Sequence, residues 1–263
     1  MEKVVLLTDF GTKDPYVGQV KGRLGHYDGL LNCIDFYHEV PDYLPTSGAW
    51  LIERCQHHFP PDSHWLCVVD PGVGSERRGI AVIVGDRLFV GPDNGLLCWA
   101  LTQDNAEVRA IGEQWQQQAA STFHGRDIFA PVLVDWMTHK DADRIGPKVE
   151  DPISLSDENY RMQITGGMQV QIPHIDHFGN IITALDGSWQ GVGQGSAWVL
   201  KQTINKWVKT FSDLQVGELG LLVGGFGTVE IVCNQGSAAE RLNINCGDWV
   251  DFFEKSVDDK KSG

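Results

Sequence analysis

The sequence has no long hydrophobic run, no surplus of positive charge and no paired-cysteine motif, and each absence narrows what the protein can be. No apolar stretch approaches the roughly 20 residues that a membrane-spanning helix needs. The run Val4–Leu7 ends at once in Thr8-Asp9, unlike the apolar centre of a signal peptide. Lysine and arginine number 21 against 35 aspartate and glutamate, a formal net charge of −14. Phosphate backbones are gripped by basic faces, so nucleic acid is not an expected partner. The six cysteines, Cys33, Cys55, Cys67, Cys98, Cys233 and Cys246, contain no CxxC pair. They read as free thiols in a reducing compartment, which sets the expectation of a cytoplasmic protein. No GxGxxG follows the first strand-like run, so neither an NAD enzyme nor a Rossmann-type methyltransferase is indicated. Gly191-Val-Gly-Gln-Gly-Ser196 resembles a phosphate loop only in glycine content; it lacks the preceding strand, the lysine and the helix. His57-His58 and the His174/His177 pair do not present two imidazoles on one face of a regular element, so no metal site is expected.

What remains is an ordinary globular composition, 42% hydrophobic and 21% charged over 263 residues. Up to about residue 150, short Val-, Ile- and Leu-rich runs alternate with helical patterns. Val4–Phe10, Leu31–Phe36, Trp65–Asp70, Ile80–Val84, Arg87–Gly91 and Glu107–Ile111 read as strands. Thr46–Phe59 has helical spacing behind Thr46 or Ser47 as N-cap, and Leu96–Thr102 and Asp127–His139 are further helices. Near-continuous apolar strands alternating with helices predict an α/β domain with a largely parallel sheet over residues 1–150. The stretch 151–159 is polar, contains proline and serine, and reads as a linker. Beyond it, Gln169–Ile172, Ile181–Leu185, Ser196–Leu200, Gly220–Val223, Thr228–Cys233 and Trp249–Phe252 are short strand-like runs between glycine-rich turns. They predict a smaller all-β, barrel-like domain over 160–253, followed by a charged, frayed tail at 254–263.

Four segments in the first part cluster polar residues with glycines where strands should end. They are Thr8-Asp-Phe-Gly-Thr-Lys-Asp-Pro-Tyr16, Asp70-Pro-Gly-Val-Gly-Ser-Glu-Arg-Arg78, Gly91-Pro-Asp-Asn-Gly95 and Ser121-Thr-Phe-His-Gly-Arg-Asp127. Any one of them is explained by turn chemistry; aspartate caps turns and Pro-Asp-Asn-Gly is a competent turn by itself. Together they deliver carboxylates, an arginine and a histidine to one edge of one sheet. That edge is where open α/β sheets bind ligands.

These segments, with Asp176-His-Phe-Gly-Asn180 and Asn234-Gln-Gly-Ser-Ala-Ala239, resemble the S-adenosyl-L-methionine (SAM) hydroxide adenosyltransferase family, relatives of the fluorinase and chlorinase enzymes. The matches run in the family's order from residue 8 to residue 239. The resemblance implies an α/β domain followed by a β-barrel. It also implies hydrolysis of SAM to adenosine and L-methionine without metal or cofactor, in a homotrimer with sites at subunit interfaces. It carries the family's Asp–Arg–His triad onto Asp70, Arg77 and His124. Arg77 rather than Arg78 fits the family spacing. Substrate contacts carry over onto Asp9 for the ribose hydroxyls, Asp14 and Tyr16 near the methionine portion, and Tyr43 as an aromatic neighbour of the ligand. Asp93, Asn94, Thr122, Phe123 and Gly125 complete the first-domain set. Asp176, Phe178 and Asn180, with Phe226, Ser237 and Ala239, form the set in the second domain. One departure stands out: Gly224-Gly225 occupies a place where many relatives carry Asn-Ser.

The halogenating relatives replace the His-Gly of the 124–125 loop with a small hydroxyl residue at the second position. His124-Gly125 therefore favours water or hydroxide over halide as nucleophile. A non-catalytic SAM or adenosine sensor is the competing class, and a purely structural oligomer has no need of polar clusters at strand ends. In the hydrolytic reading His124 accepts or orients the proton of water, Arg77 stabilises negative charge on the attacking oxygen, and Asp70 fixes both.

Overall fold

The computed structural model describes residues 1–117, 119–200 and 202–254; the rest of the tail expected to fray, 255–263, lies outside the described residues. The chain divides into two compact units, Met1–Leu155 and Ser156–Gly263.

In the first unit the apolar runs become a six-stranded sheet. Its strands are β1 (Glu2–Thr8), β2 (Leu31–Tyr37), β3 (His64–Val68), β4 (Gly79–Val84), β5 (Arg87–Pro92) and β6 (Glu107–Ala110). The spatial order is β2-β1-β3-β5-β4-β6. The pairs β1/β2, β1/β3 and β3/β5 are parallel, while β4 runs antiparallel to both β5 and β6. All five residues of β3 are buried, as a strand covered on both faces requires. One face carries Val4, Leu6, Leu66, Val68, Ala81 and Val90 against α1 (Tyr16–Leu24) and α4 (Ala130–His139). The other receives α2 (Pro45–Cys55), whose Gly48 lies against Leu7, Val69 and Leu96, the last just ahead of α3 (Cys98–Leu101).

Two local expectations are corrected. Neither Thr46 nor Ser47 caps α2; the helix starts at Pro45 behind Leu44, because proline's fixed φ suits the first helical position and its missing N–H costs nothing there. The helix expected from Asp127 opens earlier, as a single π-turn over Gly125–Phe129 that runs into α4.

The second unit is antiparallel throughout its paired strands. They are β7 (Arg161–Ile164), β8 (Gly167–Gln171), β9 (His174–Ile175), β10 (Ile181–Asp186), β11 (Ser196–Val199), β12 (Gln202–Ile204), β13 (Leu219–Val223), β14 (Thr228–Cys233) and β15 (Trp249–Phe253). One sheet has the order β13-β14-β10-β9 and the other β12-β11-β15-β8-β7. The short helix α5 (Ala238–Leu242) follows β14, with the Ser237 hydroxyl accepting from the Glu240 N–H as its N-cap. The glycine-rich segment near Gly191 is a turn, closed by the Gln194 N–H on the Gly191 carbonyl. Among the described residues no helix is long and apolar enough to cross a membrane.

Candidate active site

Sheet topology decides which residues meet. Because β1, β3 and β5 are parallel, their carboxyl ends share one edge, and the antiparallel β4 begins at that same edge. Asp9, Asp70 and Asp93 follow the three parallel strands, and Arg77-Arg78 lead into β4. His124 stands at the mouth of the π-turn. The loop carrying Arg77 approaches the His124 loop through Gly74, at φ +78°. A Cβ there would lie 2.6 Å from the Ser121 carbonyl oxygen, so only glycine allows the contact.

The expected triad is assembled. The Arg77 Nη2 group donates to the Asp70 carboxylate and also to His124 Nδ1, at 3.1 Å. Its Nη1 donates to the Arg78 carbonyl at 2.8 Å, and the guanidinium lies 5.7 Å from the centre of the Phe129 ring. Guanidinium is donor only, so His124 Nδ1 must be the acceptor and the neutral ring carries its proton on Nε2. Burial, and then the neighbouring Arg77 charge, push the His124 pKa below the usual histidine range, so the ring is neutral near pH 7.

Arg78 turns elsewhere. Its guanidinium binds Asp93 and Asp151, with Nε to Asp93 at 2.9 Å and Nη1 to Asp151 at 2.9 Å. The second Asp93 oxygen accepts from the Ile153 N–H at 2.8 Å. Asp93 is thus bound within a network holding residues 151–153. Its neighbour Asn94 donates to the Val69 carbonyl at 2.9 Å and ties down the end of β3.

Next to His124 in sequence, Phe123 belongs to a cluster of aromatic side chains. Phe10, Tyr16 and Phe123 meet edge to face with centroids 5.3–6.0 Å apart. Gly125 fits between them and the sheet, where a Cβ would come within 3.3 Å of Val68 and 3.4 Å of Phe10. Asp9 is pushed up to about 6, chiefly by burial, with the charges of Asp42 and Asp70 adding to it and backbone N–H groups opposing. Tyr43, whose N–H is one of those donors, is 73% exposed with φ +62°. Such a backbone is costly for tyrosine. Asp14 and Thr122 are exposed in their loops.

In the second unit, Asp176 organises the segment expected to touch substrate. Its Oδ1 accepts from the N–H groups of Phe178 and Asn180, and its Oδ2 from the Asn180 amide at 2.8 Å. The tight turn leaves the Phe178 ring 74% exposed. Gly179, at φ +81°, lies beside Ser237, and its carbonyl accepts from the Ala239 N–H at 3.0 Å. Asp176, Phe178, Asn180, Ser237 and Ala239 therefore form one cluster. The Phe226 ring stands edge-on to His174 at 6.1 Å.

Models of the SAM hydroxide adenosyltransferase N-terminal domain and C-terminal domain match residues 4–146 and 170–251. The chain belongs to the SAM hydroxide adenosyltransferase family. The two matched ranges contain every residue of both clusters. Family relatives include an (R)-S-adenosyl-L-methionine hydrolase of Salinispora tropica, 36% identical over 92% of this chain and 94% of its own. Another carries the same name in Thermus thermophilus, at 31% identity over 94% and 98% of the two chains. A fluorinase of Actinopolyspora mzabensis is more distant, at 22% over 93% and 94%. Among solved structures, an uncharacterized conserved protein from Thermotoga maritima superimposes with a TM-score of 0.81 at 28% identity, covering 95% of this chain and 99% of its own.

Beside the family motifs, two groups went unread in the sequence. Thr8 Oγ1 meets His38 Nδ1 at 2.8 Å, and His38 Nε2 meets Asp35 at 3.0 Å. The His38 carbonyl also accepts from the Gly11 N–H, so this chain, buried at Thr8 and His38, holds the turn that carries Asp9. The second is Glu230, 6% exposed in the middle of β14. A lone acid inside the apolar run Thr228–Cys233 was the signal available for it.

Proposed function

We propose that this protein hydrolyses SAM to adenosine and L-methionine. An oxygen from water forms the new bond to C5′, the C5′–S bond breaks, and its electron pair returns to sulfur as methionine leaves. The observation that carries the reading is a single guanidinium, Arg77, joined at once to Asp70 and to Nδ1 of His124 at the ligand-binding edge of the sheet.

That arrangement supports a hydroxide nucleophile. With Nδ1 accepting from Arg77, the neutral imidazole offers Nε2–H, which donates to an oxygen anion and orients it; the proton of water departs to solvent. Arg77 supplies the positive field that favours the anion, and Asp70 holds Arg77 in place. Hydroxide and sulfonium neutralise each other along the reaction path, so a dry site strengthens their attraction and strips the nucleophile of water. Asp9, once ionised, accepts from ribose hydroxyls, and the Phe10–Tyr16–Phe123 aromatic faces support binding of a cationic, ring-bearing substrate. No step in this scheme calls for a metal or organic cofactor. We further propose that the enzyme is a cytoplasmic homotrimer with sites completed between subunits. The six free cysteines are consistent with a reducing compartment.

Incubation with SAM in ¹⁸O-labelled water, followed by chromatography and mass spectrometry, tests the reading. Adenosine labelled at its 5′ oxygen, with methionine in equal amount, is the expected result. Absence of adenosine overturns it, and unlabelled adenosine overturns attack by water. His124→Ala is expected to reduce kcat about 10²–10³-fold, with SAM affinity changed far less.

A further inference from the structure

A row of polar side chains that no step of the reaction uses runs from α1 to the end of β1. Lys21 Nζ donates to Asp35 Oδ2 at 2.6 Å, and Asp35 Oδ1 faces His38 Nε2 at 3.0 Å. His38 Nδ1 faces Thr8 Oγ1 at 2.8 Å, and that oxygen accepts from the Phe10 N–H at 3.3 Å. Burial would raise the Asp35 carboxyl, but the hydrogen bonds from Lys21 and His38 outweigh it and hold the group below the usual carboxylate range. Donor counting fixes the direction of the row. A carboxylate only accepts, so His38 Nε2 carries a proton and donates it to Asp35. The Thr8 hydroxyl has no other acceptor among the described residues, so it donates to a bare Nδ1. A proton on Nδ1 would orphan that hydroxyl at a position only 2% exposed, which is costly.

Threonine, histidine and aspartate in a row invite comparison with a nucleophilic triad, and burial of the Thr8 hydroxyl, already bound to the Phe10 N–H, excludes that role. What the row reaches is the backbone on both sides of Asp9. One hydroxyl ties Thr8 and Phe10 to the His38 ring. The Gly11 N–H donates to the His38 carbonyl at 2.7 Å, and the Val40 N–H donates to the Thr8 carbonyl at 3.2 Å. The turn closes at Gly11 with φ +66°, a conformation that favours glycine. Residues 38–43 therefore line the turn 8–11, and the Tyr43 N–H reaches the Asp9 carboxylate itself. That carboxylate accepts from its own N–H and from Tyr43, and a carboxylate has about four acceptor positions. The remainder suits two neighbouring hydroxyls.

We propose that His38 is a positioning residue for ribose recognition: through the Thr8 hydroxyl and its own carbonyl it presets the 8–11 turn, so that Asp9 meets the vicinal hydroxyls of the nucleoside already ordered. This rests on the reading of Asp9 as the ribose contact. The advantage is preorganisation, since a turn fixed before binding has no ordering cost left to meet. Calorimetry on the full chain compares adenosine with 2′,3′-dideoxyadenosine, so the readout is a ratio of two Kd values that does not depend on turnover. The wild type is expected to favour adenosine about 10- to 100-fold, the scale of hydrogen bonds to a charged group. Thr8→Val keeps the side-chain shape and deletes the hydroxyl, while His38→Phe keeps a ring and deletes the acceptor. Each should cut the ratio about fivefold or more, through weaker adenosine binding alone, because small misplacements of a contact group are expensive. Thr8→Ser retains the hydroxyl and should stay near the wild-type ratio.

A merely structural role would lower the melting temperature of Thr8→Val and His38→Phe and leave the ratio intact, and that result overturns the proposal. So does a ratio that falls as far in Thr8→Ser as in Thr8→Val. A wild type that binds both nucleosides equally refutes the assignment of Asp9 to ribose, and the role of His38 falls with it. If neither variant folds, amide hydrogen exchange of the ligand-free wild type decides. Phe10 and Gly11 are expected to be protected, and exchange of either at an unfolded-chain rate rules out a preset turn.

Discussion

Replacing Arg77 with alanine tests whether Asp70, Arg77 and His124 act as one electrostatic unit. The Asp70 side chain is 4% exposed and that of Arg77 11%, so water and salt screen the pair poorly. Alanine deletes the donors to Asp70, to His124 Nδ1 and to the Arg78 carbonyl together. Removing one partner of a buried pair costs about 3–5 kcal/mol, because the charge left behind has no counterion. For a chain of this size each kcal/mol lowers the melting temperature by about 2–4 °C, so Arg77→Ala should melt about 6–20 °C below wild type. Asp70→Asn removes the charge itself. The double variant Asp70→Asn/Arg77→Ala therefore leaves no bare carboxylate and should melt above Arg77→Ala alone. We expect a coupling of about 2–3 kcal/mol from the double-mutant cycle. Thermal unfolding of the full chain at near-neutral pH, followed by near-UV circular dichroism, provides the readout. The first transition is the one to compare, since two units need not unfold together. Two results would refute the reasoning: an Arg77→Ala melting point within about 2 °C of wild type, or single-variant effects that simply add in the double variant.

The pH profile carries a second expectation. In the proposed reading the ionised Asp9 is the better acceptor for ribose hydroxyls, so kcat/KM for SAM should fall as pH drops through about 6, and Asp9→Asn should erase that limb. Stability runs the opposite way. Because the folded-state pKa of Asp9 is raised, the fold gains from its protonation, and that gain disappears as pH rises between about 4 and about 6; urea midpoints of wild type and Asp9→Asn across that window check the sign. Gly125→Ala places a methyl 3.3 Å from Val68 and 3.4 Å from Phe10, which should cost about 1–3 kcal/mol of stability by overpacking and lower kcat through the adjacent His124; an unchanged melting point would contradict the packing described. Gly74→Ala combines a strained φ with a collision at the Ser121 carbonyl, so it should destabilise by more than about 1 kcal/mol and depress turnover by displacing Arg77, both visible in one melting and activity comparison.

How far the sequence could be read depended on which physical signal each element carries. β3 and β5 were plain because strands covered on both faces must be apolar at nearly every position. The helix Tyr16–Leu24 was not, since only Val20 and Leu24 are buried and two glycines interrupt its pattern. β7 pairs along Arg161–Ile164 with two of its four residues exposed, which leaves no hydrophobic alternation to detect. The strand-end aspartates were legible as positions, but their partners were not. Nothing in an Arg-Arg dipeptide says which side chain turns toward His124 and which toward Asp151; the entry into β4 decides it by sending neighbours in different directions. Asp93 shows the same limit, for its motif points to a ligand while its oxygens hold Arg78 and the Ile153 amide.

The Arg78 network has a practical consequence for anyone dissecting the chain. The segment after residue 150 looks dispensable as a connector, yet Asp151 and Ile153 are fastened to Arg78 and Asp93, and Leu155 packs onto Gly95. A cut placed at residue 150 would strand Asp93 without its amide donor and free the arginine next to Arg77. Excision just beyond Leu155 keeps those fastenings, so two proteolytic fragments differing by about five residues should differ sharply in how well the Arg77 loop is held.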